Sequence, residues 1–332
     1  MSTATTKPRR VAWPWRDRAG RFSPLRLSVL IGLATPGLVL LWLLVSDQMG
    51  PEPWKQATRQ SGSHAVHILL LSLLVTPLRF IADWPKAATL RRMVGLAALA
   101  YGLAHLVLYA GHLAWNLPEL VSEIALRFYL TLGFAVLVGL AALGWTSTDG
   151  AQRRMGPRWK TLHRWVYLLA AGAVFHAFLQ SRLGADKATM LAGFFVWLML
   201  WRLLPGRFRA HPPALMALAV VAALGCVAIE YLWFALATPF PPVRVVAANL
   251  DLDMARGLRP AQITLVAGLG LALLPWLRRL RWSREGRDET VPTPPLGAAG
   301  RADARRARRR GAGAGAAAAA LEPAGPDAAG PR

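Results

Sequence analysis

The sequence predicts an all-α membrane protein, and three observations carry that prediction. Hydrophobic side chains make up 55% of the 332 residues and charged ones only 17%, below the quarter usual for soluble domains. The formal net charge is nonetheless +22, a surplus that in a soluble protein points to nucleic acid. The two features are segregated along the chain. Apolar residues run in windows of about 20, the length that crosses a bilayer, and charges lie between them. Topology therefore accounts for the basic surplus, with the lipid bilayer and no nucleic acid as the partner.

Residues 1–25 form a basic tail, and no cleavable signal peptide is expected, because the first apolar run follows a long charged stretch and is itself long enough to span. Eight windows follow, at 26–46, 62–82, 94–115, 125–147, 161–181, 187–205, 213–237 and 260–277. The second opens with His64 and His67, and the third contains His105 and His112. The fifth carries His163 and His176 around Ala170-Ala171-Gly172-Ala173, small residues expected to leave space beside the helix. The sixth has Lys187 and Arg202 inside its ends, and the seventh holds Cys226 and Glu230. Residues 281–332 are Arg-, Ala- and Gly-rich, with too few large apolar side chains to offset chain entropy, and are expected to be disordered. The predicted organisation is thus a tail (1–25), a six-helix domain (26–208), a two-helix extension (209–280) and a second tail.

Charge counting orients the spans. With the N-terminus in the cytoplasm, 31 of the 39 Lys and Arg residues fall on the cytoplasmic side and 8 on the other, as the positive-inside rule requires at every alternation. Both termini are expected in the cytoplasm. Trp54, Trp84, Trp115, Trp145 and Trp159 lie at or beyond span ends, where amphipathic rings favour the headgroup region.

Composition removes several chemistries. A single cysteine, Cys226, excludes an intramolecular disulfide, an iron–sulfur cluster and any CxxC site, and inside a span it is expected to pack. No phosphate-binding G-x-x-x-x-G-K-[ST] occurs. Gly268-Leu269-Gly270 lacks the strand-then-helix context and third glycine of a dinucleotide fingerprint.

The histidines carry the functional signal, because six of the seven lie in or at the edge of spans and ionisable groups at membrane depth mark function. His105 and His176 sit in spans running the same way, with a depth mismatch of roughly 6 Å. Two neutral imidazoles facing each other across a bundle are a standard means of holding a six-coordinate b-type haem. His163 precedes His176 by 13 residues, a rise of roughly 20 Å, and points about 140° away around an ideal helix. Two separate sites fit better than one, with a kink near Gly172 as the alternative. Arg91, Arg92, Lys160 and Arg164 gather near His163 as a basic pocket suited to a haem propionate or flavin phosphate, or simply as the positive-inside rule places them. His112, His64 and His67 are candidates for an outer docking surface, a second ligand set or a transition-metal site. Glu230 is either an intramembrane acid or a residue reaching the outer interface.

Several stretches in combination then point to one family. They are LLSLLVTPLRF (70–80), LRRMVGLAALAYGLAHLVLY (90–109), RFYLTLGF (127–134), TSTDGAQRRMGPRWKTLHRWVYL (146–168) and VFHAFL (174–179). From about Leu25 to Pro205 the chain resembles the MsrQ (formerly YedZ) proteins of the ferric-reductase-like transmembrane superfamily. The resemblance implies a six-helix bundle binding one or two b-type haems, with His105 and His176 on one iron and His163 at a second haem or another redox site. It also implies electrons from a quinol or a cytoplasmic flavin reductase, with FMN and quinone as further cofactors. They would pass to an MsrP-like periplasmic molybdopterin reductase repairing methionine sulfoxide, which places the chain in the bacterial inner membrane as a non-catalytic electron-transfer subunit. Leu179 stands where family members commonly carry an aromatic residue, and His64, His67 and His112 are not family positions. A self-contained ferric reductase would need a cytoplasmic flavin domain that the polar tail does not supply. A cytochrome b with another acceptor, or a histidine-based proton or metal transporter, are the alternatives.

Overall fold

Helices dominate because a helix satisfies the backbone groups of an apolar segment within that segment, as lipid requires. The computed structural model describes residues 13–16, 19–181, 184–251 and 257–288, with side chains as far as Leu277. Among them the only bridge outside helices joins Arg16 and Phe22. The chain divides into Met1–Arg278 and Arg279–Arg332. The expected disordered tail, from residue 289 onward, lies outside the described residues.

The helices of the first unit are α1 (Pro24–Val45), α2 (Pro53–Ile81), α3 (Arg91–His112), α4 (Leu117–Leu126), α5 (Phe128–Trp145), α6 (Asp149–Met155), α7 (Pro157–Arg164), α8 (Val166–Ser181), α9 (Asp186–Leu203), α10 (Pro212–Ala237) and α11 (Pro242–Ala248). The last, α12, is Pro260–Asp288. Proline opens α1, α2, α7, α10, α11 and α12, where its missing N–H costs nothing and its fixed φ suits the first turn. Ser23, Asn116 and Thr148 cap α1, α4 and α6 by accepting a backbone N–H. Gly156 takes φ +52° between α6 and α7, a conformation that favours glycine.

Seven helical segments are long and apolar enough to cross a membrane, and this is a multi-pass membrane protein. They match seven of the eight predicted windows, α7 and α8 together forming the fifth. The difference is the sixth: α9 has 18 residues, about 27 Å, and includes Asp186, Lys187 and Arg202 near its ends. Arg202 is held by carbonyls, donating to Leu198 and, at 2.8 Å, to Leu73 of α2. It also lies 5.0 Å from the Tyr167 ring centre.

The buried centre of the bundle is α2, which packs against α1, α3, α8 and α9, while α5 pairs with α8 and α10 with α9. Leu69 and Leu73 of α2 join Val94 and Ala98 of α3, Ala170 and Val174 of α8, and Leu191, Trp197 and Trp201 of α9 in one core. By contrast α1 leaves Ile31, Leu38, Leu41 and Trp42 exposed, apolar all round as a helix facing lipid should be. Two local expectations are corrected here. The chain breaks at Trp165, between α7 and α8, and Gly172 lies inside an uninterrupted α8. The small residues of α8 leave no free space either. A Cβ on Gly172 would lie 2.8 Å from Val136 Cγ2, so their smallness serves close packing of α5.

Candidate functional site: a histidine pair in the bundle

His105 of α3 and His176 of α8 face each other, with ring centres 6.4 Å apart and planes at 80°. A metal–imidazole bond of about 2.0–2.1 Å plus about 1.1 Å from nitrogen to ring centre, on each side, requires roughly 6.3 Å. The spacing would let both imidazoles hold one metal ion between them.

The tautomers agree. His105 Nδ1 lies 2.8 Å from the Thr58 carbonyl oxygen and His176 Nδ1 lies 2.7 Å from that of Tyr129. A carbonyl only accepts, so each Nδ1 carries the proton and each Nε2 keeps its lone pair. That arrangement orients a ligating histidine and raises its basicity. Neither Nε2 has a hydrogen-bond partner among the described residues.

The same device is built twice. Each ring rests on a glycine four residues after the carbonyl it bonds: Gly62 follows Thr58 on α2, and Gly133 follows Tyr129 on α5. A Cβ on Gly62 would lie 2.8 Å from His105 Nδ1, and one on Gly133 would lie 2.7 Å from His176 Cε1. Both carbonyl–histidine pairs are separated by 47 residues, so α2–α3 and α5–α8 present equivalent halves of one site. Sequence reasoning missed Thr58, Gly62, Tyr129 and Gly133. The equal spacing of T-x-x-x-G and Y-x-x-x-G ahead of a histidine is the signal that was available.

Beyond His176 lies a polar cluster. Tyr109 donates to Glu123 at 3.2 Å, and Arg127 pairs with Glu123 at 2.6 Å and donates to the Tyr129 hydroxyl at 3.2 Å. That last bond raises the Arg127 pKa above its ordinary value. The cluster braces the start of α5, the segment whose Tyr129 carbonyl holds His176.

His163 is not brought to this pair. Its ring stacks on Trp159 at 3.9 Å, its Nδ1 lies 3.1 Å from the Trp159 carbonyl and its Nε2 lies 3.4 Å from Ser147 Oγ. Arg91, Arg92, Lys160 and Arg164 are exposed, and Arg92 pairs with Asp149 at 2.7 Å, so the predicted basic pocket is partly neutralised.

The remaining histidines do not assemble. His64 and His67 line a cavity with residues of α1 and α9, whereas His112 is exposed beside Tyr109. Among the described residues no group of three or more His, Cys, Asp or Glu is placed to hold a metal ion. Glu230 is buried, with 1% exposure, and its carboxylate is bonded within the protein. It accepts from Asn249 at 2.7 Å and Arg259 at 3.2 Å, which ties α10 to the segment leading into α12. Cys226 is buried against the Thr189 carbonyl, as a packing residue.

Comparison with known proteins places this geometry. Residues 61–174 match the ferric reductase like transmembrane component family, a range containing both glycines, Tyr129, His105 and His163, beginning three residues after Thr58 and ending two residues before His176. The chain is 40% identical over 149 residues to the heme-binding subunit MsrQ of protein-methionine-sulfoxide reductase from Deinococcus radiodurans, covering 45% of this chain and 74% of that protein. It is 36% identical over 173 residues to the protein of the same description from Bordetella pertussis, covering 50% and 80%. No solved structure matches. At that identity and coverage, with an all-helical bundle around the histidine pair, the chain belongs to the MsrQ family within the ferric-reductase-like transmembrane proteins.

Proposed function

We propose that this chain is the haem-carrying, electron-transferring membrane subunit of a methionine sulfoxide reductase system, in which His105 and His176 would hold the iron of a b-type haem. One observation carries the reading: two imidazoles whose centres lie 6.4 Å apart, each with its Nδ1 proton committed to a backbone carbonyl. Bound there, haem iron supplies one-electron chemistry. The protein's part is to present two Nε2 lone pairs at fixed separation, to hold the rings against rotation, and to exclude water with the apolar faces of α2, α3, α5 and α8.

His163 serves a separate site at the opposite end of the bundle, a second haem or another redox group. Arg91, Arg164 and, less directly, Arg92 favour an anionic substituent there, such as a haem propionate or an FMN phosphate. The charge asymmetry supports a cytoplasmic position for that end and for both termini, with the bacterial inner membrane as the proposed location. The electron donor is a quinol or a cytoplasmic flavin reductase, and the acceptor is an MsrP-like periplasmic molybdopterin reductase. Domain limits at 26–208 and 209–280 assign the histidine sites to the first six helical segments.

Haem content and the reduced-minus-oxidised spectrum of purified variants test this. His105→Ala and His176→Ala should each abolish the same bis-imidazole signal, while His163→Ala should leave at least part of it. Full haem content and an unchanged spectrum in His105→Ala overturns the pairing.

A further inference from the structure

Both α3 and α8 pack on α2 and on α5, and each histidine is anchored within its own half of the site. His105 is held by α2 through the Thr58 carbonyl, and His176 by α5 through the Tyr129 carbonyl. The crossed rings, with planes at 80°, therefore depend on what registers one half against the other.

A directional polar link joins the halves, and Glu123 of α4 is its centre. Tyr109 lies four residues beyond His105, about 40° around α3 from it. Its hydroxyl donates to Glu123 Oε2 at 3.2 Å. The other carboxylate oxygen, Oε1, pairs with Arg127 at 2.6 Å. Arg127 in turn donates to the Tyr129 hydroxyl at 3.2 Å, on the residue whose carbonyl holds His176. Both carboxylate oxygens are thus used, one toward each histidine.

The backbone holds this link in place. The Arg127 N–H donates to the Glu123 carbonyl at 3.1 Å, and Thr131 Oγ donates to the Ile124 carbonyl at 2.6 Å. The end of α4 is thereby bonded to the first turn of α5. The Glu123 side chain is only 19% exposed, where charge-assisted bonds are stronger than in water. Glu119, one turn earlier, is exposed and bonds to Asn116 at its own helix end. The residue type at 123 matters because Tyr109 and Arg127 both donate. A carboxylate accepts from both at once, whereas a glutamine amide has one oxygen and turns its NH₂ toward the other donor.

We propose that Glu123 is a positioning residue for the histidine pair, fixing the angle between the two rings by tying the His105 helix to the His176 cradle. This rests on the haem reading above and deepens it by assigning what sets the ligand geometry. Second-sphere orientation of this kind is one of the levers a protein has on bound haem. The angle between two imidazole planes on ferric haem governs the spread of its low-spin electron paramagnetic resonance signal. Crossed planes give one large g value, and parallel planes give a narrower, rhombic spectrum.

The haem-loaded full chain in lipid nanodiscs should show the large g value of crossed rings. Glu123→Gln and Tyr109→Phe should each lower and broaden it at unchanged haem content, since both cut the link and only the first removes a charge. Glu119→Gln, a charge loss on the same helix outside the link, should leave it unchanged. Where Glu123→Gln does not load haem, Tyr109→Phe decides the question. An unaltered signal in Tyr109→Phe at full haem content overturns the proposal. So does an equal shift in Glu119→Gln, or the spectrum of parallel rings in the unmutated chain. Retention of the full haem signal in His105→Ala sinks the haem pairing instead, an outcome read in a different variant.

Discussion

His105 and His176, the proposed haem ligands, are oriented by atoms that are not theirs. Each imidazole is oriented by a carbonyl and abuts a glycine, so the information that positions it resides on another helix. Gly62→Ala and Gly133→Ala would each bring a methyl to within 2.9 Å of a ligand ring, which must rotate or withdraw. Overpacking of this kind costs about 1–3 kcal/mol, and we expect each variant to lose low-spin haem signal by electron paramagnetic resonance. Gly95→Ala on α3 is the control, since a Cβ there meets nothing within 4 Å. It should leave the spectrum unchanged, and an equal loss in all three would mean that the glycines matter only for helix stability. From the sequence, His105 and His176 were legible as a pair because both lie at membrane depth. Their cradles were not, because a glycine in an apolar run reads the same whether it faces lipid, a leucine or an imidazole.

At the level of helices, α2–α3 and α5–α8 repeat one device, while α9, α10 and α12 add a polar buried junction. Glu230 has 1% exposure and relies on Asn249 and Arg259. Arg259 is itself 30% exposed and Asn249 still donates to the carboxylate, so removing the guanidinium from buried Glu230 costs about 1–3 kcal/mol. Arg259→Met should therefore lower stability in detergent by about that amount, measured by thermal unfolding, and Glu230→Gln in the same chain should restore part of it. The haem spectrum should not respond to either change, because the histidine pair lies on α3 and α8. A spectral shift in Arg259→Met would instead join the last helices to the redox site. Window hydropathy located α10 and α12 but left Glu230 open between two readings. Its partners lie 19 and 29 residues onward, and no local pattern announces contacts at that distance.

For the whole molecule, orientation is the property on which every transfer direction depends. Cys226 is the single cysteine and is buried, so it gives little background to labelling. In a Cys226→Ala chain, Gln48→Cys should react with a membrane-impermeant maleimide on intact cells, and Gln152→Cys should react only after lysis. The reverse pattern would invert the topology. The sequence by itself determined the membrane class, seven of the eight spans and the charge asymmetry, because each depends on composition within one segment and on the bilayer as solvent. Tertiary structure alone decided which rings meet, where each Nδ1 proton goes, and that His64 and His67 turn to a separate cavity. These depend on the rotation of helices about their own axes, which is set by close packing between segments distant in the chain.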